Sequence, residues 1–344
     1  MIKYEIIAKE CNDLFARTDK KYYKFSSYDG KTIEDVFQLF NDVNIPLGNW
    51  FYCSEFTNDD YEKFSELVQK VDEYFKNLEE ERADVEMILG AITGDIVGSV
   101  YEFNNIKTKD FPLVNPTSRM TDDSIMTIAV AEIMKKGYIN DKEKIIDTLK
   151  KWGRKYPNAG YGYRFYDWVL GDNRKPYYSC GNGSAMRVSP VAWYANSEEE
   201  VIDYARKVTE VTHNHPEGIK GAVVTAMCVY YARIGKSKEF IREYVEKFYD
   251  IDFDYEELRR TYTHKWEVCQ VTVPQAIYCF LISNSFEDCL RTTISIGGDC
   301  DTTAAISCAI AEAYYGNPIL IRNEIMRFLD DEMFEILDLE NINK

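Results

Sequence analysis

Residues 295–316 read SIGGDCDTTAAISCAIAEAYYG. Two glycines, two aspartates one residue apart and two threonines stand directly before an apolar helix. Asp299 or Asp301 can serve as a cap, because a helix N-terminus carries free N–H groups and a partial positive charge. One acid fills that role, and a second so close adds repulsion. The stretch therefore poses a choice between capping and binding something that needs carboxylate oxygens.

Working outward, nearly every periodic segment from residue 84 on is helical. Residues 84–103, DVEMILGAITGDIVGSVYEF, put Gly90, Gly94 and Gly98 on one helix face, where another backbone can approach closely. TDDSIMTIAVAEIMKKG (121–137) starts on a capping residue and ends on Gly137. EEVIDYARKVTEVTH, EGIKGAVVTAMCVYYARIG, VPQAIYCFLIS (273–283) and SFEDCLRTTIS continue the series. These segments predict a mainly all-α multi-helix bundle over 84–344. Residues 1–83 differ: IKYEII and KYYKFSS read as strands, YDGKT as a turn, and the run from Asp59 as an amphipathic helix. That pattern predicts a small α+β module preceding the bundle.

The chain has 344 residues, 45% of them hydrophobic, and a net charge of −17. With no basic cluster, it lacks the local positive charge that tracking a nucleic acid requires. A small phosphorylated ligand stays open, since metals and helix N-termini hold phosphates on acidic proteins. Nine scattered cysteines without a CxxC pair, and only three histidines, argue against structural zinc and read as reduced thiols. No apolar run approaches the ~18 residues of a membrane span, and no signal-peptide core opens the chain. A cytoplasmic protein that makes no use of a membrane is expected.

TDDS at 121–124 repeats the build of GGDCDTTA: small residues, paired acids and hydroxyls at a helix entrance. If the two entrances meet, Asp122, Asp123, Asp299 and Asp301 gather four carboxylates. Unit charges in contact repel by about 4 kcal/mol at an effective dielectric of ~20. Either the segments lie apart or cations join them. Two divalent ions balance four charges, and carboxylates with threonine hydroxyls are ligands that Mg²⁺ prefers, with Mn²⁺ able to replace it.

GAITGDIVGSVYEF, TDDS, GYGYRF, GNGSAMRVSP, THNHPEGIKGA and SIGGDCDTTA occur in the order found in ADP-ribosylglycohydrolases, and the chain resembles that family over about residues 84–330. The resemblance implies the family's all-α orthogonal bundle and a binuclear Mg²⁺ site that hydrolyses the bond between ADP-ribose and its acceptor. Carried across by motif, it implies Thr121, Asp122, Asp123, Asp299, Asp301 and Thr302 as metal ligands. It also implies Glu102, Asp123 and Asp299 as catalytic groups, and Asp95, Ser179, Gly181, Asn182, Gly183 and His213 as ligand-binding positions. Ser124 stands where threonine is common, and Cys180 where an aromatic often stands.

Each position has a plainer reading. Asp95 is a hydrogen-bonded helix acid, Glu102 a solvated helix end, Gly183 a positive-φ turn residue and His213 a helix cap. His215 and Pro216 read as loop, and Tyr161 and Tyr163 as stacking or packing residues. ADP-ribosylated protein, arginine-linked by preference, or an ADP-ribose-linked small molecule is the implied substrate. Some family members are immunity proteins whose N-terminal extension plugs a toxin ADP-ribosyltransferase, so residues 1–83 are a candidate partner-binding or lid module. Two rival classes remain: a non-catalytic ADP-ribose- or toxin-binding protein, and a two-metal phosphohydrolase or nuclease.

Overall fold

The computed structural model describes residues 88–262 and 267–339. The expectations for residues 1–83, and the boundary after them, lie outside the described residues. Fifteen α-helices follow one another within the described residues, and these contain no β-strand. They are α1 (Gly90–Gly98), α2 (Asp122–Lys135), α3 (Lys142–Lys155), α4 (Tyr163–Leu170), α5 (Gly183–Met186), α6 (Ser189–Tyr194), α7 (Glu198–Glu210), α8 (Pro216–Arg233), α9 (Lys238–Val245), α10 (Tyr255–Thr261), α11 (Cys269–Ile282), α12 (Phe286–Ile296), α13 (Cys300–Tyr315), α14 (Ile319–Met326) and α15 (Asp331–Ile336). None is long and apolar enough to cross a membrane. The all-α bundle is the architecture expected from residue 84 onward.

The centre of the bundle is α13, buried from Cys300 to Glu312 and packed against α1, α8, α11 and α12. Its partner α1 has all nine residues buried. The three glycines explain how the two helices meet. A Cβ on Gly90 would lie 2.3 Å from the Cys308 carbonyl oxygen, one on Gly94 2.2 Å from that of Ala304, and one on Gly98 2.4 Å from the Asp301 Cα. The helices therefore run antiparallel with backbone on backbone. This seam ends at Asp301.

At the other end of the seam, Glu312 caps α1. Its Oε1 accepts from the Leu89 N–H at 3.2 Å and its Oε2 from the Gly90 N–H at 2.7 Å. Burial pushes this carboxyl from 4.5 up to about 8, against the lowering effect of its hydrogen bonds. The folded state thus holds a proton that the unfolded chain has released, so the contribution of Glu312 to stability falls as pH rises from about 4.5 towards 8. Glu312→Gln, which is never charged, is expected to match or trail wild type in thermal midpoint at pH 5 and to gain on it steadily up to pH 8. A difference between the two that stays constant over that range would exclude the effect.

Three local readings need correction. The helix read at 273–283 begins four residues earlier, at Cys269, because Cys269 N–H is held by the Cys180 carbonyl (3.0 Å) and Val271 and Thr272 bond back to Val268. Pro274 consequently lies inside α11, and the carbonyl of Gln270 that loses its partner belongs to an exposed residue. His215 and Pro216 are not loop. His215 Nδ1 accepts from the Glu217 N–H at 3.1 Å as the N-cap of α8, and Pro216 takes the first helical position. Gly183 has no positive φ and starts α5.

Candidate active site

Three chain segments converge where the α1–α13 seam ends: the entrance to α2, the entrance to α13 and the turn after α1. Thr121 is the N-cap of α2, as its position suggests, with Oγ1 accepting from the Asp123 N–H at 3.4 Å. Asp299 occupies the N-cap position of α13 but makes no capping bond with its side chain. Its Oδ2 instead accepts from Asn182 Nδ2 at 2.5 Å. The capping reading fails there.

Asp95, Asp123 and Asp301 each offer a carboxylate oxygen within 4.8 Å of the others, and so do Glu102, Asp299 and Asp301. The two triads share Asp301. Thr302 Oγ1 donates to Asp123 Oδ2 at 3.1 Å, tying α13 to α2, and Thr121 Oγ1 reaches the same oxygen at 3.3 Å. Asp123 Oδ1 is buried and has no hydrogen-bond partner among the described residues. Burial, then neighbouring carboxylates, push Asp122, Asp123 and Asp301 well above the usual carboxylate range. An orphaned carboxylate oxygen among like charges lacks a positive counterpart. The all-oxygen donor set fits a hard divalent cation.

Asp95 differs from its neighbours. It is fully buried and does not line the cavity beside the triads, the place of an outer-shell acid. Its oxygens accept from Thr121 N–H (2.9 Å), Thr121 Oγ1 (2.7 Å), Ser124 N–H (3.0 Å) and Ser124 Oγ. Asp95 therefore fixes the TDDS entrance from behind, and Ser124 supplies the hydroxyl it needs.

The cavity has a volume of about 380 Å³. Its walls include the acidic group Glu102, Thr121, Asp122, Asp123, Asp299, Asp301 and Thr302, together with Ser179, Gly181, Asn182, Gly183 and His213. Apart from Asp95, every sequence-predicted site residue thus faces one space. Asn182 spends its amide on Asp299 and on Thr272 Oγ1 (3.0 Å), so it supports an acid rather than presenting a free amide. Tyr163 lines the cavity and is 78% exposed, whereas Tyr161 is buried with an unpartnered hydroxyl.

Sequence reading missed several contributors. Arg119, Arg164 and Arg187 line the cavity of this acidic protein, and Arg187 is 1% exposed. A charged residue inside the apolar run SAMRVSPVA was the available signal. Asn105 left none: its amide donates to the Glu102 and Gly298 carbonyls (2.8 and 2.9 Å) and its Oδ1 accepts from the Gly298 N–H (2.8 Å). It ties the Glu102 turn to the segment just before Asp299. Gly298 is glycine for two reasons, a φ of +71° and a Tyr262 ring only 2.1 Å from where a Cβ would stand.

A family model described as ADP-ribosylglycohydrolase matches residues 79–335. The chain belongs to the ADP-ribosylglycohydrolase family. Among its relatives, the ADP-ribosylhydrolase ARH3 of Homo sapiens is 27% identical over 307 aligned positions, which cover 67% of this chain and 84% of that protein. The ADP-ribosyl-[dinitrogen reductase] glycohydrolase of Rhodospirillum rubrum is 26% identical over 255 positions, covering 66% and 85%. A solved structure titled ADP-ribosylglycohydrolase-related protein complex aligns with a TM-score of 0.56 and 24% identity, over 73% of this chain and 93% of that one, and shares the fold. As an ADP-ribosylglycohydrolase the chain is a hydrolase of glycosidic bonds to ADP-ribose, in a metal-dependent family.

Proposed function

We propose that the protein removes ADP-ribose from modified protein side chains, arginine by preference, using two Mg²⁺ ions held by Thr121, Asp122, Asp123, Asp299, Asp301 and Thr302. The observation that carries this reading is the pair of acid triads that share Asp301, all of whose acids except Asp95 line a single cavity. Bound there, the ions supply Lewis acidity and hold oxygens of substrate and water. The protein's own groups do the rest. The Ser179–Gly183 loop, on the cavity wall, receives the diphosphate, and His213 faces the same loop. Glu102, carried on the turn that Asn105 pins beside Asp299, handles the proton. One water adds to C1″ of the distal ribose, the bond from C1″ to the acceptor nitrogen breaks, and the water's proton ends on the leaving nitrogen. Glu102, facing the cavity, suits a guanidinium acceptor.

Residues up to 78 lie outside the family match. We assign residues 1–83 to occluding a toxin ADP-ribosyltransferase, with hydrolysis undoing the toxin's mark. The test of the hydrolytic part is release of free ADP-ribose from arginine-ADP-ribosylated protein with Mg²⁺, beside a serine-linked substrate, an EDTA control and Asp299→Asn. Release from the arginine substrate that EDTA and Asp299→Asn abolish is expected. Release that survives EDTA removes the metal assignment, and release from the serine substrate alone removes the arginine preference. ADP-ribose binding without any turnover would favour a non-catalytic blocker. A chain without residues 1–83 should keep its hydrolysis in that assay and lose its toxin partner in a separate binding measurement; unchanged partner binding would remove the occlusion role.

A further inference from the structure

His213 is 5% exposed, and among the described residues only its Nδ1 has a partner, Thr212 Oγ1 at 2.8 Å. Nε2 bonds to none of the described residues. It lies 3.3 and 3.5 Å from where Cβ atoms on Gly183 and Gly181 would stand, so no side chain separates the ring from the glycine loop. What a ligand meets at Nε2 depends on which ring nitrogen carries the proton.

The neighbours of Thr212 decide that. Arg187, a donor only, gives an Nη2–H to Thr212 Oγ1 at 2.7 Å and takes one lone pair. The single hydroxyl hydrogen then has two acceptors in range. One is the Thr209 carbonyl, 3.5 Å away and already accepting from the Thr212 and His213 N–H groups at 3.1 and 2.8 Å. That distance is long for an O–H donor. The other is His213 Nδ1 at 2.8 Å. The opposite arrangement, Nδ1–H donating to Oγ1, would point a second N–H at an oxygen already loaded by a guanidinium and leave the hydroxyl hydrogen with only the distant carbonyl. The hydroxyl therefore donates to Nδ1.

We propose that Thr212 is a positioning residue, locking His213 as its Nε2–H tautomer so that the ring presents a fixed donor to an anionic oxygen of the ligand lying on the Gly181–Gly183 loop. The identity of that oxygen, a diphosphate oxygen of ADP-ribose, rests on the function proposed above; the tautomer does not. The surroundings keep the ring neutral: burial first, then Arg187 and Arg164, hold it well below its ordinary value. The aromatic rings of Tyr177 and Phe165 close the remaining sides, with centroids 5.8 and 6.5 Å away. A ring free to flip its proton would instead turn a lone pair towards the ligand's negative charge.

Three histidines make the test direct. In the full chain labelled with ¹⁵N-histidine, the resonances lost in His213→Gln belong to His213. They should show an unprotonated Nδ1 and a protonated Nε2 in wild type. Thr212→Val should populate the Nδ1–H form and weaken ADP-ribose binding by about tenfold, the loss of one hydrogen bond to a charged group, with kcat changed far less than KM. Thr212→Ser should restore both the tautomer and the affinity. An Nδ1–H His213 in wild type, or a Thr212→Val protein whose tautomer or ADP-ribose affinity is unchanged, overturns the proposal. If Thr212→Val does not fold, the wild-type and Thr212→Ser spectra still decide the tautomer, and His213→Gln reports on affinity. Binding and tautomer are both read without turnover, so a protein that hydrolyses nothing still answers the question.

Discussion

Asp123→Asn is expected to abolish hydrolysis and, in chelator, to raise the thermal midpoint. The two effects share one cause. Asp123 accepts from Thr302 on Oδ2, has no partner for Oδ1 among the described residues, and sits with Asp95 and Asp301 in one triad. An asparagine oxygen can take over the Thr302 hydroxyl bond while its NH₂ fills the orphan's place and donates to a neighbouring carboxylate. Repulsion falls, and a lost acceptor becomes a donor. Without metal, the gain should amount to a few degrees in midpoint. The same change deletes a charge on which cation binding depends. Loss of an outer-shell partner already costs about 10–100-fold in metal affinity or activity, so loss of a direct ligand should cost at least about 100-fold. Mg²⁺ should raise the midpoint of wild type by several degrees and that of Asp123→Asn by almost nothing. A variant that is less stable than wild type in chelator, or that Mg²⁺ stabilises equally, would show that these acids do not form a cation site.

Gly94→Ala should be a severely damaging single-methyl change. Its Cβ would stand 2.2 Å from the Ala304 carbonyl oxygen, 2.3 Å from its carbonyl carbon and 2.5 Å from the Ala305 nitrogen. All three are backbone atoms of a buried helix, so no rotamer change relieves the overlap, and α1 must lift off α13. Overpacking of ordinary cores costs about 1–3 kcal/mol and occasionally more. With backbone on both sides, a loss above about 3 kcal/mol is expected, or about 6 °C and upward in midpoint for a domain of this size. Gly137→Ala is the matched control. Its φ of +65° is unfavourable to alanine but nothing lies within 4 Å, so it should cost only about 1–2 kcal/mol. Equal effects from the two changes would mean that the seam is not tightly packed.

Much of this was legible in the sequence, for local reasons. Glycines four residues apart announce a close helix contact wherever the partner lies, and Thr121 before two acids announces a helix start. The two acid-rich entrances share a composition that suggested a shared site, and the chain brings them together. What stayed hidden depends on distance along the chain. Asn105 acts on Gly298 and Glu312 on Leu89 and Gly90, across about 200 residues, through backbone groups that every residue possesses. Arg187 reads as an anomaly in an apolar run until Thr212 is found beside it. Asn182 looked like a free amide because nothing in GNGSAMR reveals that Asp299 claims it.

The direct contact of α1 with α13 also sets where this scaffold can be reshaped. Between most helices a layer of side chains absorbs change, as a gasket does between machined plates. Here that layer is missing, and the joint ends on Asp301, the acid common to both triads. Any adjustment of the joint is passed undiminished to the reaction centre, which makes the seam a poor target for engineering. Another part of the cavity wall offers the freedom that the seam withholds. Tyr163 and Arg164 are exposed and border the cavity, and the Asp123–Thr302 bond does not involve them. A library built to change which acceptor enters belongs there.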